Sequence, residues 1–162
     1  MTNRYVRSTD GSDASDGLTW ANAEATLTGA AAANVAGDVI WVSQVHAEST
    51  AGAVTLAWAG TAANPIRVLC GNDAAEPPTA LATTATVTTT GTNSITVAST
   101  GYLYVYGISF NSGSGGGTAN ITLSNTTNVA NYDTCVFNVV ATGAASRIDL
   151  TAGSGHVILK DC

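Results

Sequence analysis

Three segments decide the reading of this chain: Ile95–Asn111 (ITVASTGYLYVYGISFN), Ile121–Asn138 (ITLSNTTNVANYDTCVFN) and Ile148–Cys162 (IDLTAGSGHVILKDC). Laid over one another, their columns agree in residue type. Ile95, Ile121 and Ile148 share a column, and Val97, Leu123 and Leu150 share the next inward one. Leu103, Ala130 and Val157 follow, then Val105, Tyr132 and Leu159, then Ile108, Cys135 and Cys162. Phe110 lies over Phe137 and Asn111 over Asn138, and from Leu103 onward the offset is 27 residues. A fixed period of this size marks a solenoid, in which each repeat buries its apolar face only by stacking on a neighbour.

Inside each repeat apolar residues recur at every second position, with Thr and Val abundant and Gly and Asn as punctuation, which is the pattern of strands. The glycine run of Gly113–Gly117 breaks any helical alternative. The expected fold is all-β: a right-handed parallel β-helix of about 27-residue rungs, with strands about 4.8 Å apart and like residues over like. The right hand follows from the strong preference of parallel crossovers. Ile108, Cys135, Cys162, Phe110, Phe137, Asn111 and Asn138 form the expected structural ladder. The stacked Asn amides can bond to each other where each strand turns. Tyr106, Asp133 and Lys160 share an outward column, so Asp133 and Lys160 read as a solvated ion pair.

Upstream, Tyr5–Ser8 reads as a short strand. Thr26 is an N-cap for a helix with Leu27, Ala30, Ala31 and Val35 on one face and Gly37 as its C-terminal stop. Such a helix covers the end of a stack whose strand edges and core are otherwise open. The division expected is 1–37, a strand, a turn-rich segment and a capping helix, followed by rungs over 38–162. Asp38–Val42, Val54–Trp58 and Ile66–Leu69 read as the first rung strands. Glu76-Pro77-Pro78 interrupts the chain before Thr83–Thr90. Cys162 falls mid-rung, which is expected of a fragment or of an end covered by another chain.

Composition fits a single domain of 162 residues with a narrow core of small and β-branched side chains and only 10% charged residues. Five basic against eleven acidic residues give a net charge of −6 without a Lys/Arg cluster, which argues against nucleic-acid and anionic-membrane partners. Met1–Arg7 lacks the basic-then-apolar form of a signal peptide, and no apolar run is long enough to span a bilayer. Three cysteines without CxxC spacing argue against a disulfide framework or a zinc site. Cys135 and Cys162, in one column, read as stacked thiols, at a separation that a disulfide also spans.

Residues 5–42 resemble the opening of pectate-lyase-like right-handed β-helix proteins. The likeness rests on Tyr5-Val6, Gly11-Ser12-Asp13, Asp16-Gly17, Trp20, Thr26-Leu27 and Gly37-Asp38-Val39-Ile40-Trp41-Val42. Val45-His46-Ala47-Glu48, the stretch Gly60–Cys70 and Tyr104–Phe110 are similar to one subset, the β-helical structural proteins of tailed bacteriophages. The resemblance implies a homotrimeric virion component, a capsid decoration, head fibre or tail appendage, made in the host cytoplasm and bound to other virion proteins. The lyase branch gathers several Asp for Ca²⁺ with a Lys or Arg as base. Here the repeats hold only Asp133, Asp149, Asp161, Lys160 and Arg147.

No catalytic residue and no cofactor is assigned. Asp10, Asp13 and Asp16 are a weak calcium candidate, since they lack the alternate-residue pattern and terminal Glu of an EF-hand and Asx turns explain them. Asp133, Lys160 and Asp161 read as surface charges. His46 and Glu48 begin a His-x-Glu motif whose Pro-Cys-x-x-Cys partner is absent. His156 reads as the end of a turn, and Gly113–Gly117 lacks the Lys of a phosphate loop. Trp58, Tyr104 and Tyr106 are the candidate contact residues, for a protein partner or for surface glycan. Three functions follow: a non-enzymatic virion structural protein; a polysaccharide lyase or tail-spike depolymerase whose groove lies beyond residue 162; and a glycan-binding adhesin module.

Overall fold

The computed structural model describes residues 1–162, the side chain of Ala152 excepted. The chain opens with β1 (Asn3–Val6), a single 3-10 turn (Trp20–Asn22) and α1 (Leu27–Ala33). Strands then follow in quick succession: β2 (Val39–Ser43), β3 (Ala47–Thr50), β4 (Val54–Trp58), β5 (Ile66–Gly71), β6 (Ala85–Thr89) and β7 (Ile95–Ser99). The remainder comprises β8 (Leu103–Tyr106), β9 (Ile108–Ser112), β10 (Ile121–Asn125), β11 (Val129–Asp133), β12 (Val136–Val139), β13 (Ile148–Ala152) and β14 (His156–Lys160).

All these strands pair in parallel, in three sheets. Sheet one has the order β1-β2-β5-β8-β11-β14, sheet two β12-β9-β6-β3 and sheet three β13-β10-β7-β4. From β2 onward the chain visits sheets one, two and three in turn, which is consistent with a parallel β-helix. The sequence columns appear as pairing partners: Ile95, Ile121 and Ile148 in sheet three, Leu103, Ala130 and Val157 in sheet one, and Phe110 with Phe137 in sheet two. Inward members of the inner strands are almost wholly buried and form one continuous core. Phe110 and Phe137 stack with their planes 5° apart and centroids at 5.6 Å. The Asn138 amide donates to Asn111 Oδ1 at 3.4 Å, so the amide ladder read from the sequence is present.

The corner that follows each of β8, β11 and β14 takes a left-handed residue. Gly107, Thr134 and Asp161 occupy it with φ of 71°, 54° and 52°. At Gly107 a Cβ would also lie 2.2 Å from the Ala82 carbonyl oxygen, so only glycine fits there.

Several boundaries differ from the sequence reading. The first strand is Asn3–Val6, two residues early, because it pairs with Val39–Val42 in sheet one. Strand β3 is a strand that Val45–Glu48 and the turn formers after it did not disclose. Helix α1 starts as expected, with Thr26 Oγ1 accepting from Gly29 N at 2.9 Å, but it stops at Ala33. Asn34 ends it in extended conformation, its amide donating to the Ala31 and Ala57 carbonyls. Val35 is therefore solvent-exposed rather than part of the helical face. Gly37, at φ 94°, serves the turn into β2. Leu27, Ala30 and Ala31 join the core, with α1 lying against β4 and β1. Among the described residues no helix is long and apolar enough to cross a membrane.

Candidate functional site

The outer face of sheet one carries the densest set of chemically able side chains among the repeats. Strand alternation sends Leu103 and Val105 inward, so Tyr104 and Tyr106 face outward. Register places Arg67, Tyr104, Asn131 and Ile158 in one outer column, and Leu69, Tyr106, Asp133 and Lys160 in the next. Tyr104 and Tyr106, two of the candidate contact residues, are half-buried. Tyr104 also leans across to the neighbouring column, its hydroxyl donating to Asp133 Oδ2 at 3.0 Å. Lys160 Nζ donates to the same oxygen at 2.9 Å, and Thr134 Oγ1 donates to Oδ1 at 2.9 Å.

The Asp133–Lys160 pair is therefore not the fully solvated one expected. Asp133 is only 9% exposed, because Tyr104 and Thr134 close around it; Lys160 remains in solvent. The Lys160 hydrogen bond holds the Asp133 carboxyl below its usual range, while Asp133 holds the Lys160 ammonium above its own. Burial, and then the bond to Asp133, raises the Tyr104 phenol. Each shift moves its group away from neutral pH, so this trio has no member poised to exchange a proton there. It is an ordered polar platform that fixes Tyr104.

Trp58 is the correction among the contact residues. It continues the inward alternation of Val54 and Leu56 and is 2% exposed, so its ring face is not available for stacking. It instead helps line an open pocket of about 160 Å³ on sheet three, together with Ala57, Ala98, Ser99, Thr100 and Ser124. The buried Trp58 Nε1–H has no hydrogen-bond partner.

The calcium candidate is taken apart by the fold. Asp10 pairs with Arg7, with a closest approach of 2.5 Å. Asp13 accepts from Ala25 N, Thr26 N and Thr26 Oγ1 at 2.8–2.9 Å, and Asp16 closes an Asx turn by accepting from Leu18 N. Three carboxylates that each satisfy local donors do not converge, and among the described residues no group of three His, Cys, Asp or Glu could hold a metal ion. His46 and Glu48 are both buried, with Nε2 3.4 Å from Oε2 but without the alignment of a hydrogen bond. Glu48 Oε2 accepts from Leu27 N at 2.9 Å, so its visible work is to cap α1.

His156 is exposed and opens β14. Gly113–Gly117 links β9 to β10, and Arg147 pairs with Asp149 at 2.6 Å. The three cysteines are free, Cys70 and Cys135 buried and Cys162 exposed. The Tyr104–Asp133 bond was missed by sequence reading, which compared residues within a column and not on the diagonal between columns.

No family model matches this chain, and no curated protein matches it. Among solved structures, a rhamnogalacturonan lyase is similar over 83% of this chain, at 18% sequence identity and a TM-score of 0.49. The chain spans 36% of that protein's length. A likeness at that level bears on neither activity nor substrate, and the parallel three-sheet arrangement stands on the strand pairing itself.

Proposed function

We propose that this chain is a non-enzymatic structural module, a right-handed parallel β-helix that associates with copies of itself as a trimer and serves as part of a tailed-phage particle. The observation that carries the reading is the outer face of sheet one. Arg67, Leu69, Tyr104, Tyr106 and Ile158 lie side by side in two columns, and Tyr and Arg are residue types enriched at protein interfaces. Tyr104 is held by Asp133, so little side-chain freedom is lost when a partner covers it. The resemblance of residues 45–48, 60–70 and 104–110 to phage structural proteins supports assignment to a virion made in the host cytoplasm, as a capsid decoration, head fibre or tail appendage beside other virion proteins. The test is the mass in solution of wild type and Tyr106→Glu, with polysaccharide cleavage assayed in parallel. The reading expects a trimer that the substitution dissociates and no cleavage. A wild-type monomer that depolymerises polysaccharide overturns it.

A second reading, a glycan-binding module, is favoured by the pocket on sheet three. Its apolar floor of Ala57, Ala59 and Ala98 beside the hydroxyls of Thr100 and Ser124 suits one face of a neutral sugar ring. Calorimetry with neutral polysaccharides tests it: binding abolished by Ala98→Trp supports it, and no binding by wild type removes it.

A further inference from the structure

Buried carboxyl and imidazole side chains are rare in the repeats and gather at one end. Among the described residues they are Glu24, Asp38, His46, Glu48 and Asp133, and all but Asp133 lie where the N-terminal segment meets the first strands. Glu24 is the most enclosed of the carboxylates, at 2% exposure. Its backbone is clamped to the end of β1: Glu24 N donates to the Tyr5 carbonyl at 2.9 Å, and Arg7 N donates to the Glu24 carbonyl at 2.8 Å.

Three glycines make room for it. A Cβ at Gly11 would lie 2.5 Å from the Glu24 carbonyl oxygen, one at Gly17 2.9 Å from Oε1, and one at Gly29, in α1, 2.9 Å from Oε2. The same point at Gly29 is 2.6 Å from Asp13 Oδ1, so the two carboxyl groups lie on one side of the helix start. Glu24 Oε2 is buried without any hydrogen-bond partner.

Among the described residues the cation paired with Glu24 is Arg4, and its hydrogen bonds go elsewhere. Its Nε donates to Asp38 at 3.1 Å and its Nη1 to the Asp16 carbonyl at 3.1 Å, leaving Glu24 Oε1 3.7 Å away. Asp38 is in turn held by Val35 N. On the far side of the α1 start, Glu48 accepts from Leu27 N with His46 beside it. An ionised Glu24 in this setting has a buried oxygen without a donor and a second carboxylate nearby, whereas a protonated Glu24 has a hydrogen to give it.

We propose that Glu24 and Asp13 form a proton-linked latch on the N-terminal segment, closed when Glu24 carries a proton and loosened when it loses it. The latch joins the turn-rich segment, β1 and the start of α1, so its loosening lifts the helix away from β4 and uncovers the first layer of the core. The direction agrees with the electrostatics: burial raises the Glu24 carboxyl most, Asp13 raises it further, and Arg4 pulls it down in part. A carboxyl raised in the folded state contributes stability that is complete below its unfolded value, about 4.3, and lost as pH rises through the folded value. The segment thus tightens as pH falls through the folded value of Glu24 and is loosened above it.

Hydrogen exchange resolved by peptide, corrected for intrinsic rates, tests this on the full chain between pH 5 and pH 8. Residues 10–33 are expected to show an opening constant that grows by up to about tenfold per pH unit inside the transition, while Ile121–Asn125 stays flat. Glu24→Gln, whose amide always has hydrogens to donate, is expected to protect 10–33 at pH 8 and to remove its pH dependence. A pH-independent wild type overturns the proposal, as does a Glu24→Gln variant that keeps the wild-type dependence. If that variant does not fold, the carboxyl ¹³C titration of Glu24 in wild type decides: ionisation in the raised range supports the latch, and ionisation at the ordinary glutamate value overturns it.

Discussion

Position within the stack decides how individual residues behave, even when their type is the same. Cys135 and Cys162 occupy one column, yet the former lies within the core and the latter at the exposed end. Burial pushes the Cys135 thiol up to about 11, and only the thiolate attacks an electrophile. Iodoacetamide at pH 8 should therefore label Cys162 within minutes and leave Cys135 unmodified until the protein is unfolded, a result that peptide mass mapping reads directly. Asp133 offers a second test. Its carboxyl is lowered in the folded state, so the stability it contributes is complete above about 4 and is lost as pH falls toward its folded value. Asp133→Asn should flatten the acid limb of a stability–pH curve measured by denaturant titration. An unchanged acid limb would mean that the Tyr104–Asp133–Lys160 bonds carry no folding energy.

At the scale of elements, two features set the register and both are testable. The Phe110–Phe137 stack fills sheet two's inner face, with Phe110 almost fully buried. Phe110→Ala should cost about 3–5 kcal/mol, since the neighbouring strands are fixed on both sides and collapse little into the cavity. The corner residue Thr134 is β-branched at a left-handed φ of 54°, a conformation that costs a non-glycine residue about 1–2 kcal/mol. Thr134→Gly should recover much of that and raise the midpoint of thermal unfolding, less what is lost with the Thr134–Asp133 bond. A lower midpoint would place more weight on that bond than on the backbone strain.

These elements also show what the sequence could disclose. The columns from Ile95 to Leu159 were legible because parallel stacking repeats the same environment at a constant offset, so residue types recur. Strand β3 was not legible. Ala47, Ser49 and Thr50 carry no apolar alternation, and the buried members of that stretch are the polar His46 and Glu48. The true end of α1 was equally hidden, because the Asn34 side chain satisfies Ala31 and Ala57 carbonyls from two distant segments, and only the fold brings those together. Trp58 was assigned to solvent on residue type, although its place after Val54 and Leu56 already pointed inward.

For the whole molecule, the division of charge follows the division of roles. The inner strands are held by columns whose buried members carry no charge near neutral pH, the Cys135 thiol being raised by burial. The N-terminal segment is joined to them through Glu24, Asp13, Asp38 and Glu48, and the outer platform of sheet one is set by Asp133 and Lys160. Acid therefore acts in opposite directions on the two: it tightens the Glu24 joint and weakens the Asp133 platform. A structural module that assembles through sheet one should accordingly lose its association before it loses its N-terminal cover as pH falls below about 4.

The most direct measurement is the mass of the purified chain by light scattering at neutral pH, repeated with Tyr106→Glu. The account predicts three times the 16.2 kDa chain for wild type and a single chain for the variant. A wild-type protein that remains at 16.2 kDa across the accessible concentration range would contradict it.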